Sequence, residues 1–184
     1  GPGRLARPLT RFLDTAGSYE GFDVRPDAIA DCRQRITARY PNFGFSHFDV
    51  HNGLYNHSSD VEAGDSRFQY RQNQFDLVFM FSVFSHMKPH DVVSYLDENY
   101  RVLKPGGVFH FLEHGVAPDA SLARVQRVIE PAQKLFADGC HLTRVPRDLV
   151  ERAGFRIVSE DSSYAGTASP WTYLTLGVAE ATAA

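Results

Sequence analysis

The chain has 184 residues, 43% of them hydrophobic and 22% charged, a globular composition with enough length to bury a core of its own. Its formal net charge of -3 gives no means of attracting a nucleic acid backbone or an anionic membrane, so neither partner is expected. Cys32 and Cys140 lie far apart and form no paired motif, so no disulfide framework or zinc site is expected. Without an apolar run of transmembrane length or a signal peptide, the reading is a cytoplasmic protein with no membrane insertion.

Leu5, Leu9, Phe12 and Leu13 share one helical face, which predicts a helix over 5–13 that Gly17 ends. Pro8 is tolerated near a first turn, where N–H groups lack partners anyway. SYEGFDV (18–24) reads as a strand ending on Asp23. Pro26 then starts a helix with Ile29, Cys32, Ile36 and Tyr40 inward, and Pro41 stops it. FGFSHFDV (43–50) is a second strand, closed by Asp49, and the polar stretch after it is a long loop of the kind that tends to be functional or mobile. FDLVFMFSVF (75–84) is apolar almost throughout. Such a run predicts a strand buried on both sheet faces, in a parallel sheet with helices on either side.

HDVVSYLDENYRVL is helical, with Val92, Leu96, Tyr100 and Leu103 at core spacing; KPGG turns the chain, and VFHFLEH (108–114) is the next strand. A helix is predicted from Asp119 to about Ala137, with Leu122, Val125, Ile129 and Phe136 inward and a kink or break at Pro131. VPRDLVERAG is a short helix that ends at Gly154. FRIVSED and WTYLTLGVA follow with no helix between them, so they pair antiparallel. The alternation of strand and helix, closed by a hairpin, predicts an α/β three-layer sandwich.

In open α/β sheets ligands sit at the carboxyl ends of the strands. Gly1 and Gly3 precede the first helix, Asp23 ends one strand and Asp49 the next. This suits an adenosine: glycines let backbone approach the ligand, one carboxylate accepts from both ribose hydroxyls, and the other accepts from the adenine amino group. GPGRLA also fits the dinucleotide pattern G-x-G-x-x-A, and a strand-end aspartate serves equally well as a cap or a solvated turn. A dinucleotide enzyme would continue with further parallel strand–helix units, whereas this chain ends in an antiparallel hairpin.

Five stretches in order resemble the motifs of class I S-adenosylmethionine (SAM)-dependent methyltransferases. GPGR is similar to the end of that family's glycine-rich first motif, GFDVRPDAI to its acidic second and FDVHNG to its adenine-contacting third. FDLVFMFSVFSHM resembles the fourth, and RVLKPGGVFHF the run into the fifth strand. The last third, FLEHGVAP and PAQKLFADGCHLTR, resembles methyltransferase-like proteins related to small-molecule thiol and quinone methylases. The resemblance implies a Rossmann-like, mostly parallel sheet and SAM as cofactor. It places Gly1 and Gly3 on the methionine side, Asp23 and the adjoining Val24 at the ribose, Asp49 and Val50 at the adenine, and the backbone of Phe81 and Ser82 near the methionine moiety. The implied activity is methyl transfer to a small-molecule acceptor. The alternative is a methyltransferase-like module that binds without catalysing.

The family's first strand would lie just before Gly1, between the Asp23 strand and the Phe75 strand. Without it those two strands are expected to lack a partner on one side. The chain therefore reads as a single domain over 1–184, N-terminally truncated relative to the family and weak in SAM binding as it stands. Methyl transfer from a sulfonium needs alignment more than a catalytic side chain, and a base helps only a protonated acceptor. His86, after the fourth motif, and His114, past the fifth strand, are the base candidates; the reading as an ordinary loop or strand-end histidine is favoured for each, and more so for His114. His47/His51, His86/His90 and His110/His114 are spaced by four, but two of these pairs lie on or near strands and no third ligand is evident, so no metal is expected. Tyr55, Phe68 and Tyr70 read as packing for the long loop, with cover for an acceptor as the alternative, and Trp171 and Tyr173 as packing on the last strand. Asp138 and His141 read as a polar turn, or by the thiol-methylase resemblance as active-site residues.

Overall fold

The computed structural model describes residues 2–52, 55–136 and 141–182, with the side chains of 86 and 134–136 outside that description. The chain forms two compact units, Gly1–Ser66 and Arg67–Ala184.

In the first unit, β1 (Tyr19–Asp23) and β2 (Phe43–His47) pair in parallel, with Asp23 opposite His47. Between them α2 (Pro26–Cys32) starts at its proline and runs on through a wider, π-helical turn at Arg33–Thr37. Ile29, Cys32 and Ile36 are buried with Ala6, Phe43 and Phe45, and Leu9, Leu13 and Tyr19 pack against that cluster. The Tyr19 ring stacks on Phe43 at 5.3 Å. Arg33 Nε and Thr37 Oγ1 donate to the carbonyls of Phe45 and Phe43 at 2.8 and 2.7 Å, which covers part of β2's backbone. Burial pushes the Cys32 thiol up.

Two expectations change here. The first helix, α1, is only Ala6–Leu9; Phe12 is 80% exposed and Leu5 40%. The residue that seats this segment is the small Ala6, which an apolar count undervalues. Tyr40 is likewise exposed, beyond the end of the helical stretch.

In the second unit a four-stranded sheet runs in the order β3-β4-β6-β5. The strands are β3 (Phe75–Phe81), β4 (Leu103–His114), β5 (Phe155–Tyr164) and β6 (Tyr173–Ala181). β3 and β4 are parallel, and β6 lies antiparallel between β4 and β5, so the terminal hairpin forms as expected. Among the described residues β1 and β3 each have a strand partner on one side only. β3 is not buried on both faces: Met80 is buried but Leu77 is 46% exposed, because a strand at the end of its sheet lacks the cover that flanks an inner one. The KPGG turn is absorbed into β4 as an irregularity, with Gly106 at φ +76.

Helix α3 (Pro89–Val102) buries Val92 and Leu96 as its spacing predicts, and Val102 besides; Tyr100 is only half-buried, and Leu103 is buried as the first residue of β4. It also clamps the chain just after residue 66. Glu98 accepts the Phe68 N–H at 2.8 Å and the Arg101 guanidinium at 2.6 and 2.8 Å, while Arg101 donates to the carbonyls of Phe68 and Tyr70 at 3.1 and 3.0 Å. Burial works to raise the Glu98 carboxyl, but Arg101 and the Phe68 amide outweigh it and hold it below its ordinary value. Arg101→Ala strands that carboxylate and two carbonyls together. The expected loss is about 2 kcal/mol, visible as an earlier thermal melt.

Helix α4 (Ala120–Phe136) passes through Pro131 without a break. Pro131 is on the exposed side, where the carbonyl it leaves unbonded can meet water. The buried face is Ala123, Gln126 and Glu130, and Val125 is 43% exposed, so the inward stripe is turned by about one residue from the apolar one. Gln126 explains the turn: its amide bonds Ala117 N, Gly115 O and Pro170 O at 2.8, 3.1 and 2.9 Å. A last helix, α5 (Pro146–Arg152), leads through Gly154 at φ +90 into β5. Trp171 precedes β6 and is 48% exposed, while Tyr173 opens the strand and meets Tyr164.

Candidate functional site

Gly1 lies outside the described residues. Gly3 is buried with φ +73, and a Cβ there would stand 2.7 Å from Ile36 Cδ1 and 3.1 Å from Cys32 Sγ. Handedness and space both require glycine at this point, where the backbone presses against the helical stretch after β1. Asp23 closes β1, and its Oδ1 accepts the Arg25 N–H at 2.9 Å, an Asx turn that holds the carboxylate at the sheet's carboxyl end. The Val24 carbonyl beside it accepts from His47 Nε2 at 3.0 Å.

Asp49 stands two residues past β2 and does not close it. The Phe48 N–H reaches back to Asp23 O at 3.0 Å, the Val50 N–H folds onto Phe48 O at 2.9 Å, and the chain bends out of the sheet. Asp49 is then held by a buried Asn56, whose amide donates to Asp49 Oδ1 at 2.9 Å and to Val50 O at 3.0 Å, and by Ser59 Oγ on Asp49 O at 3.1 Å. Asp23, Val24, Asp49 and Val50 thus all leave the same end of the β1–β2 sheet. Asn56 and Ser59 are contributors that the sequence reading passed over as loop. Tyr55 is exposed, with the Arg25 guanidinium 5.9 Å above its ring.

In the second unit the Phe81–Ser82 pair leaves β3. Ser82 takes φ +54, uncommon for a residue with a side chain, and its N–H still reaches Leu112 O at 2.8 Å. A turn of 3₁₀ helix follows at Phe84–His86. The N–H groups of Val83, Phe84 and Ser85 all point at one carboxylate, Glu113, at 2.6, 3.0 and 3.2 Å. Glu113 is 1% exposed. Burial pushes its carboxyl up to about 7 against the pull of those three amides. On the carbonyl side, Arg144 donates to Phe84 O and Met87 O, and the His141 N–H to Ser85 O at 2.8 Å. Glu130 supports that segment: it accepts from Thr143 N and Oγ1 at 2.9 and 2.5 Å and meets His141 Nδ1 at 3.3 Å.

His86 ends the 3₁₀ turn, and its side chain lies outside the described residues, as does Asp138 entirely. His114 ends β4 opposite Leu174. Strand alternation points it to the opposite face from Glu113, so the structure does not bring it to the carboxylate that organises the turn. The sequence reading missed Glu113, Glu130, Thr143 and Arg144. For Glu113 a signal was present: it continues the inward phase of Phe109 and Phe111 in VFHFLEH.

A family model described as a methyltransferase domain matches residues 1–107, more than half of the chain. The chain belongs to this methyltransferase domain family. Among curated relatives, this methyltransferase domain is 35% identical over 128 residues to the human thiol S-methyltransferase TMT1A and 36% identical over 128 residues to the rat thiol S-methyltransferase TMT1B. Each match takes in 66% of this chain and 51% of the relative, so the chain spans about half the length of the curated relatives it matches. Among solved structures, a SAM-dependent methyltransferase from Methanosarcina mazei superposes with a TM-score of 0.72 at 16% identity, covering 100% of this chain and 90% of that one. The likeness bears out the fold of the methyltransferase domain as the three-layer, Rossmann-like α/β class. No helix among the described residues is long and apolar enough to cross a membrane.

Proposed function

We propose that this methyltransferase domain transfers a methyl group from SAM to a small-molecule acceptor, and that the acceptor is a thiol. The acceptor class is taken from the thiol S-methyltransferase relatives; the donor is supported by the family and by the donor set at the β1–β2 sheet end. A carboxylate at Asp23 suits vicinal hydroxyls, a second at Asp49 suits an exocyclic amine, and the buried Val50 offers an apolar wall to a base. When bound, SAM would supply a sulfonium-activated methyl group, open to in-line attack by the acceptor's lone pair with the neutral thioether as leaving group.

The chain's own part is to hold and align. Asp23 accepts from the ribose hydroxyls, with Val24 beside it. By the family resemblance, Asp49 and Val50 take the adenine, Gly1 and Gly3 belong to the glycine-rich motif at the methionine side, and the peptide groups of Phe81 and Ser82 belong to the methionine end. A thiol acceptor must lose its proton, and His86 or His114 receives it as general base. A reducing, cytoplasmic setting suits such an acceptor.

The observation that carries this reading is Asp23: a half-buried carboxylate at a strand's carboxyl end, fixed through Oδ1 by the Arg25 N–H. Asp23→Ala should weaken SAM binding about tenfold or more, measured by isothermal titration, while leaving the melting temperature nearly unchanged. Undiminished SAM affinity in that variant would overturn the assignment. Abolished binding with the biological role intact would favour the non-catalytic module.

A further inference from the structure

We infer that Glu113 and Arg144 act as a pair of positioning residues that hold the turn 82–87 from its two sides. This rests on the reading in which Phe81 and Ser82 meet the methionine end of SAM.

The turn's peptide groups divide cleanly. Its amides at Val83, Phe84 and Ser85 converge on the Glu113 carboxylate. Its carbonyls at Phe84 and Met87 converge on the Arg144 guanidinium, and that of Ser85 takes the His141 N–H. A negative group therefore faces the donor side of the turn and a positive group faces the acceptor side, each answering the peptide dipoles. The turn has to be held, because it begins at Ser82 in a left-handed conformation that a free loop residue with a side chain rarely keeps.

Stability alone does not account for a carboxylate at this position. Glu113 follows Phe109 and Phe111 on the buried face of β4, where an apolar side chain would avoid the penalty of desolvating a charge. What an apolar side chain cannot do is fix three successive amides. Arg144 is the counterpart: it arrives on the segment braced by Glu130 through Thr143 and His141. That segment lies in the stretch whose sequence resembles thiol methylases. The donor-side turn and the 141–144 segment are thus bonded into one piece.

The test compares SAM affinity with thermal stability in the full chain and four variants. Arg144→Ala and Glu113→Gln should each raise the SAM dissociation constant about tenfold, and Arg144→Lys should recover part of the loss, since an ammonium still reaches one carbonyl. Arg101→Ala breaks an equally structural clamp in the same unit and should lower the melting temperature with no change in SAM affinity. Two results overturn the inference alone: wild-type affinity in both Arg144→Ala and Glu113→Gln, or weakening in Arg101→Ala as large as theirs, which would mean that affinity merely follows stability. A folded wild type with no SAM binding at all overturns the donor assignment and this inference with it. Should Glu113→Gln fail to fold, the two Arg144 variants decide.

Discussion

Gly177→Ala is expected to destabilise the Arg67–Ala184 unit by about 3 kcal/mol or more, a large part of the stability of an ordinary domain. Gly177 sits in β6, opposite Phe111 of β4 and Glu160 of β5. A Cβ there would stand 2.1, 2.4 and 2.7 Å from Phe111 Cζ, Cε1 and Cε2. Those separations mean that the aromatic ring lies across the glycine's Cα, so the methyl would enter the ring itself. The ring has nowhere to go. Phe111 is fully buried, and the Phe109 ring stacks against it at 5.9 Å and 29°. The same geometry predicts a rescue. Phe111→Leu alone leaves a cavity and should destabilise by about 1–2 kcal/mol, yet the leucine vacates the space the new methyl needs. The double variant should therefore be less damaged than the two single losses combined, by about 1 kcal/mol or more. Urea denaturation of the four proteins measures this. A Gly177→Ala variant with a wild-type midpoint would mean that the ring does not lie over Gly177.

Gly177 also shows why part of the fold was legible and part was not. As letters, WTYLTLGVA is a strand with a weak spot; only the partner strand reveals that the glycine is a seat for Phe111. Local patterns carried well wherever burial follows apolar character. β1, α3 and the β5–β6 hairpin formed where alternation, spacing and flanking Pro and Gly placed them. They failed where a polar side chain is buried for the bonds it makes. In α4 the inward stripe includes Gln126 and Glu130, so a count of apolar residues puts Val125 inside when it is 43% exposed. In α1 the anchor is Ala6, and the larger Phe12 is left in solvent.

The candidate site divides in the same way. Asp23 was legible because a carboxylate at the end of a strand is visible in the sequence. The support beneath Asp49 and beneath the turn 82–87 was not, because Asn56, Ser59, Glu113, Glu130 and Arg144 act on groups six or more residues away in sequence. Glu113 reaches back 28 to 30 residues to find its three amides. Such contacts leave no periodicity to read. The one trace is a charge in the inward phase of a strand, and its meaning depends on what the facing loop presents.

That buried charge gives the second large expectation, a stability that falls as pH rises. Burial takes the Glu113 carboxyl from its ordinary 4.5 up to about 7, against three amides that pull it down. An acid whose pKa is raised by folding holds its proton more tightly in the folded chain than in the unfolded one. Below about pH 4.5 both states are protonated and the contribution is complete. It drains away as pH climbs towards 7, and above that the folded state carries a buried anion, less stable by about 3 kcal/mol than at the acid end of the window. Other groups titrate across the same range, so the useful quantity is the difference between wild type and Glu113→Gln, whose side chain is neutral throughout. From pH 5 to pH 8 the stability of wild type relative to Glu113→Gln should fall by about 2–3 kcal/mol, read from urea midpoints at one-unit steps. A difference that stays constant with pH would mean that the amides of Val83, Phe84 and Ser85 outweigh burial and keep Glu113 ionised throughout. In that case the turn is gripped by a full charge from pH 5 to pH 8. In the expected case the grip strengthens only as the proton leaves, and the most stable form of the fold is the one that holds this turn least firmly.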